Sequence, residues 1–165
     1  MTQATGAQVV VEFTIEKDPA KVWDLITDVP RIGEWSPECV GAAWVDGGSA
    51  KPGARFEGHN RYEGGFEATA TCVVTEAEQP SVFEWVVLDP SEDPAHPGST
   101  WRYELTPGDA PGQTKVLHRF VHGPGATGLS EGMRENPDEA AAILQSRLDM
   151  LRLHMTVTLE GMARG

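Results

Sequence analysis

Arg147 and His154 are the side chains whose types and spacing most directly suggest chemistry. They stand two helical turns apart, about 10.5 Å along a helix axis. Both fall, with Thr158, in the middle of an otherwise apolar helical face. A charged or titratable group on such a face is strongly unfavourable unless it is paired or meets water. Two readings are open. Arg147 forms an internal ion pair, for instance with Glu104 or Glu12, or the helix faces a cavity. In a cavity, Arg147 would offer two parallel donors to a carboxylate or enolate oxygen. His154 would be a proton donor or acceptor near neutral pH.

His118 and His122 share one face of a predicted strand. Four residues of strand span about 13 Å, whereas two ligands of one zinc ion each sit about 2 Å from it. His59 and His96 add no ligand spacing, so no metal site is expected. His118 reads equally as a hydrogen-bonded pocket residue or a satisfied core histidine. Asn60 sits among apolar neighbours and needs a partner. Of the five tryptophans, Trp23 is expected in the core, and Trp35, Trp85 and Trp101 in the core or a pocket wall. Gly123-Pro124-Gly125-Ala126-Thr127-Gly128 matches the dinucleotide fingerprint by letter. That chemistry needs a helix opening on the glycines and further βα units. Here the helix is expected about nine residues later, as the last element, so a flexible loop is predicted. Ser130 lacks the context of a nucleophile elbow, there is no P-loop, and no cofactor is expected.

The element that must carry Arg147 and His154 covers residues 137–162. Asn136-Pro137-Asp138-Glu139 supplies a capping residue, a proline at the first helical position and an acid in the first turn. Gln145, Asp149, Arg152, Thr156 and Glu160 form one narrow polar strip, and Gly161 is the expected stop. So wide an apolar arc predicts a helix covered over most of its circumference. Upstream, QVVVEFTIE alternates as a half-buried strand. Asp18-Pro19 opens a short helix over AKVWDLITDV, and PRIGEWS holds one more turn. Strands are then expected at residues 39–45, GARFEGHNRY, FEATATCVVTEAE, SVFEWVVL, STWRYELT and TKVLHRFVH. Glu63-Gly64-Gly65 marks a hairpin. Residues 89–98 and 123–135 are too rich in Pro and Gly for core elements, and loops of this length often act as lids.

The 165 residues fit one domain, 1–165. A net charge of −12 argues against nucleic acid or an anionic membrane as partner. No apolar run is long enough for membrane insertion and no signal peptide is evident, so a cytoplasmic location is expected. Cys39 and Cys72 fit no metal or redox spacing and read as small buried thiols.

The run VEFTIEKDPAKVWDLITDVPRIGEWSPE, with GARFEGHNR, the WRYEL strand and the long C-terminal helix, resembles the SRPBCC superfamily. These START-like, helix-grip proteins include bacterial polyketide cyclase/dehydrase-type members, and the resemblance covers nearly the whole chain. It implies an α+β fold: a curved antiparallel sheet of about seven strands wrapped around the C-terminal helix, with two short helices after the first strand. It also implies an internal cavity that binds a small hydrophobic or aromatic molecule. The alternative is an aromatase/cyclase or dehydratase working on a polyketide-like substrate by acid/base catalysis. Whether the chain turns over a substrate or only carries one is left open, as is the choice between monomer and homodimer. Family cyclases place an Arg, a His or Tyr and tryptophans around the polyketide. The residues of comparable type here are Trp35, Trp85, Trp101, Tyr103, His118, Arg147 and His154. With Phe56, Asn60, Phe120 and Leu151 they form the expected ligand-binding set, and Arg147, His154, His118 and Tyr103 are the catalytic candidates.

Overall fold

The alternating segment at residues 8–16 folds as an edge strand, and its position decides the topology. The computed structural model describes residues 2–62 and 64–165. Strand β1 (Gln8–Ile15) buries Val9, Val11 and Ile15 and exposes Glu12 and Thr14. The later strands are β2 (Cys39–Trp44), β3 (Arg55–Arg61), β4 (Glu67–Glu78), β5 (Val82–Val87), β6 (Ser99–Pro107) and β7 (Thr114–His122). Every neighbouring pair is antiparallel, in the order β1-β7-β6-β5-β4-β3-β2. Since β1 and β2 hold opposite edges, the chain between them must cross the whole sheet. It does so through α1 (Pro19–Thr27) and a 3₁₀ turn (Val29–Glu34), the two short helices expected there. Pro19 sits in the first turn, where its missing N–H is harmless. Val22, Trp23, Leu25 and Ile26 are buried, with Trp23 edge-on to Phe83 at 6.0 Å.

Of the Glu63-Gly64-Gly65 turn signal, Glu63 lies outside the described residues. Gly64 and Gly65 take φ of +89° and +85°, a region glycine enters without a Cβ penalty. Bulges between Cys39 and Gly41 and between Val74 and Glu76 bend their strands. Beyond the second bulge Glu76 pairs with Glu84, and Ala77 with Phe83. The acids thereby stay on the convex side. There Arg102 bonds Glu76, Glu84 and Glu104 at 3.1, 3.0 and 2.8 Å, tying β4, β5 and β6 together.

The long helix is α3 (Ala140–Arg164), entered through a 3₁₀ turn at Pro137–Glu139. Leu151, Met155, Leu159 and Met162 form its fully buried stripe. Three expectations are corrected here. Asn136 does not cap the helix with its side chain; its amide donates to the Gly132 carbonyl at 2.9 Å. Gly161 does not end it. The helix continues, and Gly161 is the place where Trp35 packs, since a Cβ would stand 2.9 Å from the indole. Nor is the apolar arc covered over most of its circumference. Leu153 is 55% exposed, and Ile143, Leu144, Met150 and Val157 are only half-buried. The helix leans on β1, where Arg152 donates to the Val10 carbonyl, and its first half stands off from the sheet.

Residues 123–135, expected to be irregular, contain a further helix, α2 (Gly128–Glu135). Thr127 accepts from the Ser130 N–H and the Ser130 hydroxyl accepts from the Thr127 N–H, a reciprocal cap. The helix thus opens directly on the last glycine of the run rather than nine residues on. The other glycines permit close packing between loops. A Cβ on Gly123 would fall 2.2 Å from the Pro97 carbonyl oxygen. The N–H groups of Gly123 and Gly125 donate to the carbonyls of Gly98 and Pro97, each at 2.8 Å. The two segments read as lids are therefore pinned to each other.

Candidate ligand cavity

Strand parity aims a ladder of aromatic side chains at the concave side of the sheet. The register pairs Trp85 with Trp101 and Trp101 with Phe120. Two residues along the strands it pairs Phe83 with Tyr103 and Tyr103 with His118. Trp85 and Trp101 stack at 6.2 Å with planes 5° apart, and Tyr103 and His118 at 3.7 Å and 10°. Phe56 and Trp44 extend the strip toward β2. Between this wall and the first half of α3 lies a cavity of about 1750 Å³, open on one side. Small-molecule pockets commonly measure about 300–1,000 Å³, so the space admits more than a single ring.

His118 forms part of this wall, 4% exposed, and neither ring nitrogen has a partner among the described residues. Burial pushes its pKa down to about 3. The same burial holds the Tyr103 hydroxyl above its ordinary value. Near neutral pH the stacked pair is uncharged.

Neither expected partner of Arg147 is its partner. Glu104 bonds Arg102 on the convex face, and Glu12 is exposed on β1. Arg147 pairs instead with Glu38, its two terminal nitrogens donating to the two carboxylate oxygens at 2.6 and 2.8 Å. His154 Nδ1 lies 3.3 Å from the same Oε1. Glu38 is itself fixed. The Ser36 hydroxyl accepts from the N–H groups of Glu38 and Cys39, and the Arg61 N–H donates to the Glu38 carbonyl. Burial works against the Glu38 charge, but the Arg147 hydrogen bonds and charge, with His154, outweigh it and lower its pKa. Burial likewise opposes the Arg147 charge, and Glu38 raises its pKa overall. The Tyr62 ring lies 5.6 Å from the guanidinium. Thr158, the third polar residue of the arc, donates to the His154 carbonyl at 2.7 Å. The sequence reading did not identify Glu38, because an acid after Ser-Pro, between two elements, has no periodicity to give it a face.

Phe56, Asn60, Trp85, Trp101, Tyr103, His118, Phe120, Arg147, Leu151 and His154 all line the cavity. Trp35 does not. It packs between the Arg31 guanidinium and Gly161, joining the 3₁₀ turn to the end of α3. His122 is buried at the loop junction. Its Nδ1 lies 2.7 Å from the Gly123 carbonyl and so carries the proton, which leaves Nε2 to accept from the Thr127 hydroxyl at 2.7 Å. Cys39 and Cys72 are both free thiols, the first only half-buried. Among the described residues no group of three or more His, Cys, Asp or Glu is arranged to hold a metal. No helix among them is long and apolar enough to cross a membrane.

A family model described as "Polyketide cyclase / dehydrase and lipid transport" matches residues 6–155. Among solved structures, the chain is similar to the Polyketide_cyc-like protein Cgl2372 from Corynebacterium glutamicum. The two are 22% identical, with TM-score 0.68, over 98% of this chain and 92% of that one. Protein MLL2253 from Mesorhizobium loti is 19% identical, with TM-score 0.63, over 96% and 95%. XoxI from Bacillus cereus is 12% identical, with TM-score 0.62, over 96% and 94%. At these identities the likeness is one of fold. No curated protein matches in sequence. The family match runs from before β1 into α3 and takes in every strand of the sheet, and on that extent the chain belongs to the polyketide cyclase/dehydrase and lipid transport family, in the helix-grip fold of the SRPBCC superfamily.

Proposed function

We propose that the chain binds a small hydrophobic or aromatic molecule in the cavity between the sheet and the first half of α3. The observation that carries this reading is the aromatic wall itself. Trp85 and Trp101 are only half-buried and border open space where an ordinary core would cover them with a helix, while Tyr103 and Phe120 are buried in the wall beside them. The family description supports it, since lipid transport and polyketide chemistry both need an apolar interior. The acid/base alternative has less support. Both terminal nitrogens of Arg147 are engaged with Glu38, and His118 is held neutral, so two of the four candidates lack a free charge to offer.

Titration with Nile red, a neutral aromatic dye that brightens in apolar surroundings, tests the proposal. Saturable one-to-one binding is expected. Ala70→Trp, placed on the cavity wall opposite Gly58, should weaken it at least about ten-fold while the protein stays folded. Non-saturable staining, or binding indifferent to the filled wall, would sink the reading.

A further inference from the structure

We infer that His118 selects the ligand by taking an uncharged hydroxyl, an alcohol or a phenol, at the floor of the cavity in preference to a carboxylate. The inference rests on the ligand binding proposed above and adds the chemistry of the ligand's inner end. His118 is 4% exposed, and both of its ring nitrogens lack a partner among the described residues. A buried polar atom left unbonded is unfavourable, and such atoms ordinarily have a partner. The ring lies flat on Tyr103 at 3.7 Å, with Trp101 and Trp85 at 5.7 and 6.4 Å. The missing partner must therefore come from the cavity side.

A neutral imidazole presents one N–H donor and one acceptor nitrogen. A hydroxyl can accept from the N–H or donate to the bare nitrogen. A carboxylate only accepts, and it brings a charge. Two arginines line the cavity among the described residues. Arg147 is held twice by Glu38, and Arg61 bonds Glu67. His154 shares the Glu38 carboxylate. A carboxylate against the tryptophans would stand without a counter-charge, a strongly unfavourable arrangement. Both imidazole nitrogens are covered by their neighbours, so engagement requires the ring to swing toward the open side.

Equilibrium dialysis of the full chain with naphthalene, 2-naphthol and 2-naphthoic acid at neutral pH tests the inference. 2-Naphthol should bind up to about ten-fold more tightly than naphthalene, the gain of one net hydrogen bond, and the carboxylate should bind most weakly. His118→Phe should equalise naphthol and naphthalene. His118→Gln, which keeps a donor and an acceptor, should restore the preference. Equal binding of naphthol and naphthalene to the unaltered protein would overturn the inference, as would a preference that survives His118→Phe. So would naphthoate binding best. Naphthalene binding without hydroxyl preference sinks only the role of His118, whereas failure of naphthalene and Nile red alike sinks the cavity reading itself. If His118→Phe does not fold, the imidazole ¹⁵N resonances of the unaltered protein decide. They should move with naphthol and stay with naphthalene; the reverse, or no movement, overturns the inference.

Discussion

His118 and His122 lie four residues apart on the same face of β7, with Phe120 between them, both nearly sealed from solvent, yet the protein treats them oppositely. His122 closes a junction: one nitrogen donates to the Gly123 carbonyl, the other accepts from Thr127, and the loops pack around them. His118 closes nothing. Its ring forms part of the cavity wall, with two covered nitrogens that have no partner among the described residues and an aromatic ring against its plane. Both pKa values are lowered by burial, so titration does not separate the two. The surroundings do. A buried histidine whose bonds are complete is part of the scaffold, and one whose bonds are open is waiting for something.

The largest expected effect is on the sealed end. Gly123→Ala drives a methyl into the Pro97 carbonyl and should cost about 3 kcal/mol, a fall in Tm of roughly 6–12 °C by calorimetry. A change below about 1 °C would mean that the loops are not pinned as described. His122→Phe removes both hydrogen bonds and should cost about 2 kcal/mol in urea unfolding. His118→Phe should lie within about 1 kcal/mol of the parent at neutral pH, because it deletes only unmet bonds. If the two histidine variants proved equally destabilised, the contrast would collapse. The pH dependence sharpens it. The unfolded chain takes up a proton below about pH 6.5, while folded His118 refuses one down to about 3. Stability from the neutral ring is therefore whole above the unfolded value and drains as pH falls toward the folded one. His118→Phe should accordingly gain on the parent between neutral pH and pH ~5 in urea titrations; a constant difference would contradict a buried, neutral His118.

Strands β1, β3 and β7 were legible because they alternate. β7, TKVLHRFVH, runs over its expected residues, and its inward set is the one its parity gives. The concave tryptophans followed from the same parity. What was not legible depended on partners distant in sequence. Nothing near Glu38 announces Arg147, since the two are brought together only once the chain after α1 has crossed to the β2 edge. Trp35 carries no period that separates a cavity wall from a helix prop, and Gly161 looked like a stop because its fit to that indole lies outside local sequence. α2 was hidden by glycines, although Thr127 and Ser130 have the spacing of a reciprocal cap.

The pairing of β1 with β7 also bears on how the protein is made. Val11 meets His118 only after about a hundred further residues have been added, which at about 5–20 residues per second takes roughly 5 to 20 s. Through that interval the apolar row Val9, Val11, Phe13 and Ile15 has no strand to join. Pairings this remote in sequence form late and slowly, and an unjoined apolar strand can find the wrong neighbour. Glu12 and Glu16, set into and just after that row, put like charges on every nascent copy. They discourage two growing chains from finding each other before each has finished its own sheet.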